Sequence, residues 1–312
     1  MNVVVNVAIP VFAIMLAGYL AGRFRLLGTD ASSALNTFVY WFALPPVLFL
    51  SMARVPFEQI FNWPFLWAYI IGMALAASLA VIVSRWVFGN SFSATTLHTL
   101  TATFGNTGYM GIPLMLAAYG SGGTLPAIIT TAFGSAVIIG LAILLVEFGE
   151  GETSRPGKAL RDAVVAVLKG PLFIATIAGI IWQASGLALP EWLVNFGSLM
   201  GDAAGPCALF AMGLFLVGKP VSSGVGEVGW MVVLKLFIHP ALTWLLAVYV
   251  FDLELEMLRG VVLMAALPTG ALSFVVAQRY GVFVQRSSAA ILFSTVASVV
   301  TLSAILAWFS VG

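Results

Sequence analysis

Ten stretches of about twenty mostly apolar residues follow one another along the chain, parted by short polar breaks. That repetition decides the fold class before any motif is read. A helix rises 1.5 Å per residue, so about twenty apolar residues span the ~30 Å hydrocarbon layer of a bilayer. The 312 residues are 61% hydrophobic and 8% charged, whereas soluble domains are about a quarter charged, which excludes a water-soluble fold. No alternation of apolar and polar residues runs through the stretches, which argues against a membrane β-barrel. The sequence therefore predicts an all-α integral membrane protein with ten transmembrane helices, at about 4–22, 34–53, 64–88, 94–118, 124–147, 171–189, 198–217, 229–251, 257–278 and 287–310.

Cations choose the orientation of such a chain, because Lys and Arg collect on the cytoplasmic side. Breaks after odd-numbered spans hold ten: Arg23, Arg25, Arg85, Arg155, Lys158, Arg161, Lys169, Lys219, Arg279 and Arg286. The opposite breaks hold two, Arg54 and Arg259, so both termini are expected outside the cytoplasm, in a multi-pass protein of the cell (inner or plasma) membrane. The first cation, Arg23, follows the first apolar run, which reads as a retained span rather than a cleaved signal. A net charge of +1 argues against a nucleic-acid partner, and the lone Cys207 excludes an intramolecular disulfide.

Five spans per half force the second half to insert inverted relative to the first. Two faint echoes support such a duplication: Ala43-Leu44-Pro45-Pro46 with Ala204-Gly205-Pro206-Cys207, and Gly111-Ile112-Pro113 with Ala266-Leu267-Pro268. The expected organisation is a first repeat at 1–147, a connector at 148–170 and an inverted repeat at 171–312. Within the connector, Leu160, Ala163, Val164, Val167 and Leu168 recur at helical spacing, with Lys158, Arg161 and Lys169 elsewhere. A short helix on the anionic inner leaflet and a solvated linker both fit this pattern.

Span 4 carries Gly105-Asn106-Thr107-Gly108-Tyr109-Met110-Gly111-Ile112-Pro113 at its centre, and span 9 carries Leu267-Pro268-Thr269-Gly270-Ala271-Leu272-Ser273. Proline removes an N–H and glycine costs about 1 kcal/mol relative to alanine, so both spans should unwind. Unwound backbone at membrane depth persists only where it lines a cavity or is buried in protein. Matched breaks would bring half-helix N-termini toward an anion, with Asn106 and Thr269 adding hydrogen bonds. The candidate substrate site is thus Asn106, Thr107, Gly108 and Pro113 with Pro268, Thr269, Gly270 and Ser273.

Lys235 and His239 lie four residues apart on one face of span 8. Lys235 reads either as a group that attracts or gates an anion or as an anchor snorkelling to the nearby cytoplasmic end. His239 reads as a structural hydrogen-bonding residue ahead of a proton carrier. Glu147, Asp202 and Asp252 are expected at span ends, which argues against a carboxylate proton relay, and Asp202 reads as a helix N-terminal residue. His98 is expected at the membrane interface. There is no HExxH, no GxSG serine motif and no Walker A sequence, so an enzyme is not indicated.

The run Gly105 to Leu114, the Ala43-Leu44-Pro45-Pro46 of span 2, and Ala265 to Gly270 followed by Val275-Val276-Ala277-Gln278-Arg279-Tyr280 resemble the auxin efflux carrier family. Its members include bacterial carriers described as malonate transporters and the plant auxin efflux proteins. The resemblance implies a bile-acid-symporter-like fold. Scaffold helices 1, 2, 6 and 7 would stand beside a transport domain of helices 3–5 and 8–10, with broken helices 4 and 9 crossing. It also implies a homodimer, a substrate carboxylate meeting Asn106, a pocket-lining Leu44 and a basic residue at Lys235. Gly170-Pro171 replaces the family's frequent Asn-Pro, and the long plant loop is reduced to about twenty residues. The function so indicated is secondary transport of small organic carboxylates without a cofactor, sodium or proton coupling being left open. The rival is a membrane sensor of the same ligand.

Overall fold

Apolar helices account for almost all of what the computed structural model describes, residues 9–54, 62–149, 165, 168–218 and 224–311. Among these residues the sole β-type pairing is one isolated antiparallel bridge between Gly105 and Thr269. Among the described residues five helices are long and apolar enough to cross a membrane: Asp30–Arg54, Trp63–Trp86, Glu191–Phe215, Val225–Tyr249 and Val284–Phe309. Ile9–Arg23, Ile139–Gly149 and Pro171–Ala184 are shorter apolar helices. The stretches expected as spans 4 and 9 are each two half-helices, Phe92–Thr103 with Ile112–Tyr119 and Leu255–Ala266 with Leu272–Tyr280. Trp63 and Trp86, both exposed, are the first and last residues of a 24-residue helix about 36 Å long, the separation of the two aromatic belts of a membrane. The connector's expected amphipathic helix lies almost entirely outside the described residues.

The chain divides into two compact units. The first comprises Met1–Asn62, Gly108–Ala132 and Leu168–Gly218. Its helices touch backbone to backbone. Gly18 lies against the Phe210 carbonyl and Gly213 against the Met15 carbonyl, and a Cβ on Gly179 would come 2.6 Å from the Phe49 carbonyl. Lipid tails are as apolar as leucine, so close packing rather than hydrophobic contrast holds membrane helices together, and small residues allow it. The second unit comprises Trp63–Thr107, Phe133–Val167 and Lys219–Gly312. Ala76, Ala80, Ala102, Ala289 and Ala290 pack with Val228, Met231 and Leu234 in its core, again mostly small side chains.

Prolines explain the irregular turns. The helices widen to π-turns at Val39–Ala43, Thr107–Gly111, Gly134–Ile138 and Leu234–Ile238. In three of these four a proline follows two residues beyond the last: Pro45, Pro113 and Pro240. A proline ring collides with the carbonyl of the preceding turn, and widening that turn relieves the collision without breaking the helix. Pro206 lies inside the continuous helix Glu191–Phe215, so the echo between Pro45-Pro46 and Pro206 is not matched in backbone shape. This helix begins at Glu191 rather than near 198, and Asp202 is therefore an exposed residue within it, not a helix N-terminal one.

Candidate functional site

The helix Phe92–Thr103 stops where Phe104 turns extended, and Leu255–Ala266 stops where Leu267, held extended by the proline after it, does the same. Each stop leaves carbonyls and amides that a continuous helix would have paired. The two breaks pair them with each other. The Asn106 N–H donates to the Pro268 carbonyl and the Gly270 N–H to the Phe104 carbonyl, both at 2.9 Å, on either side of the Gly105–Thr269 bridge. The Thr269 hydroxyl donates to the Thr101 carbonyl at 3.0 Å, and the Thr269 N–H donates to Ser294 Oγ at 3.1 Å. Ser273 Oγ closes the next turn on the Gly270 carbonyl at 2.8 Å. A Cβ on Gly270 would come 2.6 Å from the Phe104 ring, so glycine is what lets the two chains cross.

One group is left over. The Asn106 side chain is 3% exposed, and its Nδ2 has no hydrogen-bond partner. A buried amide without a partner costs about 1–3 kcal/mol, which marks a binding position more than a packing one.

Lys235 and His239 stand beside this crossing. Both are fully buried, so Lys235 does not snorkel to an interface. Its Nζ donates to the Ala265 carbonyl and lies 3.5 Å from His239 Nδ1. The π-turn Leu234–Ile238, forced by Pro240, shifts the helix face carrying the lysine in a way that helical spacing alone does not show. His239 packs on the Tyr69 ring, centroids 6.3 Å apart, and its Nε2 is unpaired.

Asn106, Thr107, Pro268, Thr269, Gly270, Ser273, Lys235 and His239 thus share one unit. Leu44, Gly108 and Pro113 belong to the other. There Leu44 is buried at the start of the helix that follows the first π-turn, and Pro113 packs against Gly205, whose added Cβ would meet the proline ring at 3.5 Å. Pro113 follows the π-turn Thr107–Gly111 by two residues, and the widened turn accommodates its ring and its missing N–H. The break in this span is made by Phe104 to Asn106, ahead of the proline.

A second polar cluster was not legible in the sequence. Glu227, 4% exposed, accepts from Asn90 Nδ2 at 2.6 Å, has His98 Nδ1 at 2.8 Å and pairs with Arg286 at 2.8 Å. His98 is therefore buried in an ionic cluster and not placed at an interface; its ring also packs against Phe88 and Phe283. The partners are scattered along the chain, so nothing in their spacing links them. A glutamate in the first turn of an apolar span was the available signal.

A multi-pass helical chain whose broken spans cross and bond to each other narrows the choice of family, and sequence comparison decides it. The profile described as membrane transport protein matches residues 3–306. The chain belongs to that family. Similar to this membrane transport protein is a protein of Rhizobium meliloti (strain 1021) named for malonate transport, 29% identical over 303 residues, covering 97% of this chain and 95% of that one. The transporter YfdV of Escherichia coli (strain K12) is 28% identical over 306 residues, covering 94% and 93%. Auxin efflux carrier component 8 of Arabidopsis thaliana is 29% identical over 142 residues, covering 44% of this chain and 38% of the plant protein. The resemblance to auxin efflux carriers read from spans 2, 4 and 9 is thereby shown.

Proposed function

We propose that this membrane transport protein is a secondary carrier of small organic carboxylate anions, malonate-like dicarboxylates or auxin-like monocarboxylates, bound where the two broken spans cross. The buried, unpaired amide of Asn106 carries the reading: it is a donor held at a fixed place, as recognition of a carboxylate oxygen requires. Thr107 belongs to the proposed site with it, and Pro268, Thr269, Gly270 and Ser273 of the same unit hold the crossing. The relatives named for malonate and auxin support the substrate class.

The chain forms ten spans in two inverted repeats, placed in the cell membrane with both termini outside the cytoplasm, and works as a homodimer by an elevator motion. The division into two compact units supports a moving body and a frame. An interior-negative potential adds ~2.3 kcal/mol per charge per 100 mV to outward movement of an anion, so at ~150 mV a uniporter sustains a gradient of several hundredfold. Efflux then needs no second ion.

Counterflow in proteoliposomes tests the proposal. Unlabelled carboxylate inside should drive saturable uptake of labelled carboxylate, with malonate and indole-3-acetate in the panel. Binding without flux would make the protein a membrane sensor of the same ligand, and non-saturable flux would make it a channel.

A further inference from the structure

The π-turn Gly134–Ile138, unlike the other three, has no proline two residues beyond it. What stands against its first residue is the Phe104 ring. A Cβ on Gly134 would come 3.1 Å from ring Cε2, and one on Gly270 would come 2.6 Å from Cε1. Two glycines thus hold the ring at opposite edges, and it cannot swing aside. The ring also packs in one core with Leu97, Leu100, Ala142 and Val146.

Phe104 is extended and Gly105 forms the bridge to Thr269, so successive side-chain positions alternate across this short ribbon. Gly105 faces span 8 and the end of Leu255–Ala266, for a Cβ there would stand 3.3 Å from the Met264 carbonyl and 3.5 Å from Lys235 Nζ. Phe104 and Asn106 therefore share the other face. The unpaired Asn106 amide has a fixed aromatic ring for its neighbour, both within one unit.

An amide that takes a carboxylate oxygen fixes one end of an acid, and the rest of that acid lies along whatever shares the same face. Apolar walls beside a few polar groups are how ligand sites sort molecules by size. We infer that Phe104 is the specificity-determining residue of the crossing: its ring, held at both edges, ends the room beside Asn106, so short aliphatic acids of the malonate class are carried in preference to aryl acids of the auxin class. The inference rests on the crossing being the carboxylate site.

Competition against labelled malonate counterflow tests it, with unlabelled malonate and indole-3-acetate as competitors. In the wild type, half-inhibition should need roughly tenfold or more indole-3-acetate than malonate. Phe104→Leu, which removes the ring and keeps an apolar side chain, should lower that ratio about fivefold or more. Two further variants separate the ring from general loosening. Leu97→Val thins the same core about two turns earlier, and Gly105→Ala crowds the opposite face. Whatever they do to the rate, both should leave the ratio within about twofold of wild type. Indole-3-acetate as potent as malonate on the wild type, or exchanged in its place, overturns the inference, and this arm decides alone if Phe104→Leu does not fold. An unmoved ratio in Phe104→Leu, or the same shift in Leu97→Val, overturns it too. Absence of counterflow of any carboxylate by the wild type defeats the proposed function and the inference with it, while counterflow with an unmoved ratio defeats the inference alone.

Discussion

Two polar clusters lie in the same unit and handle burial in opposite ways. Around Glu227, side chains from separate stretches, Asn90, His98 and Arg286, converge until both carboxylate oxygens are occupied. At the crossing, two stretches of backbone satisfy each other and the Asn106 amide remains over. His98 Nε2 is left over in the first cluster too, but the charge at its centre is fully paired, and such a network holds elements together, since breaking it leaves a charge stranded. A donor left unpaired at a rigid backbone crossing instead costs stability that only a ligand returns.

This contrast separates the effects of mutation. Glu227→Ala strands His98 and Arg286 and should cost about 2–3 kcal/mol, less than a fully enclosed pair because Arg286 is 37% exposed, with carboxylate affinity unchanged within twofold. A thermal melt beside a binding isotherm reads both, and lost affinity at an unchanged melting temperature would break the comparison. Gly270→Ala forces a methyl against the Phe104 ring and should cost about 1–3 kcal/mol while abolishing counterflow. Gly105→Ala, whose nearest neighbour would be 3.3 Å away, should be milder in both readouts. Thr269→Val keeps the shape but drops the bond to the Thr101 carbonyl, about 1 kcal/mol, seen in the same melts. Pro113→Ala should let the Thr107–Gly111 turn tighten and leave the break at Phe104 to Asn106 in place, changing stability by less than about 0.5 kcal/mol. A large loss there would return the break in this span to the proline.

How far the sequence reached follows from what kind of information each feature carries. Apolar run length made the membrane class legible, and the Gly-Asn-Thr-Gly and Leu-Pro-Thr-Gly stretches located both breaks to within a few residues. Local composition did not say that Asn106 would bond its backbone to Pro268, since that pairing joins residues distant in the chain. Of the two readings of Lys235, snorkelling fails because distance along a helix from its end is not distance from water, and the Ala265 carbonyl holds the ammonium inside. Asp202 was placed at a helix start because the apolar run begins near 198, yet Pro190 and Glu191 start the helix seven residues earlier with exposed residues such as Trp192. His98 looked interfacial for want of a visible partner, and Glu227 lies 129 residues away.

The central claim is that the unpaired amide of Asn106 binds the substrate carboxylate. Titration of labelled carboxylate into purified wild-type and Asn106→Ala protein, each first shown to give a single cooperative melt, tests it directly. A hydrogen bond to a charged group is worth about 1.5–3 kcal/mol, so binding should weaken roughly ten- to hundredfold and counterflow should fall to background. Unchanged affinity in the variant would contradict the account and move the carboxylate site away from the crossing.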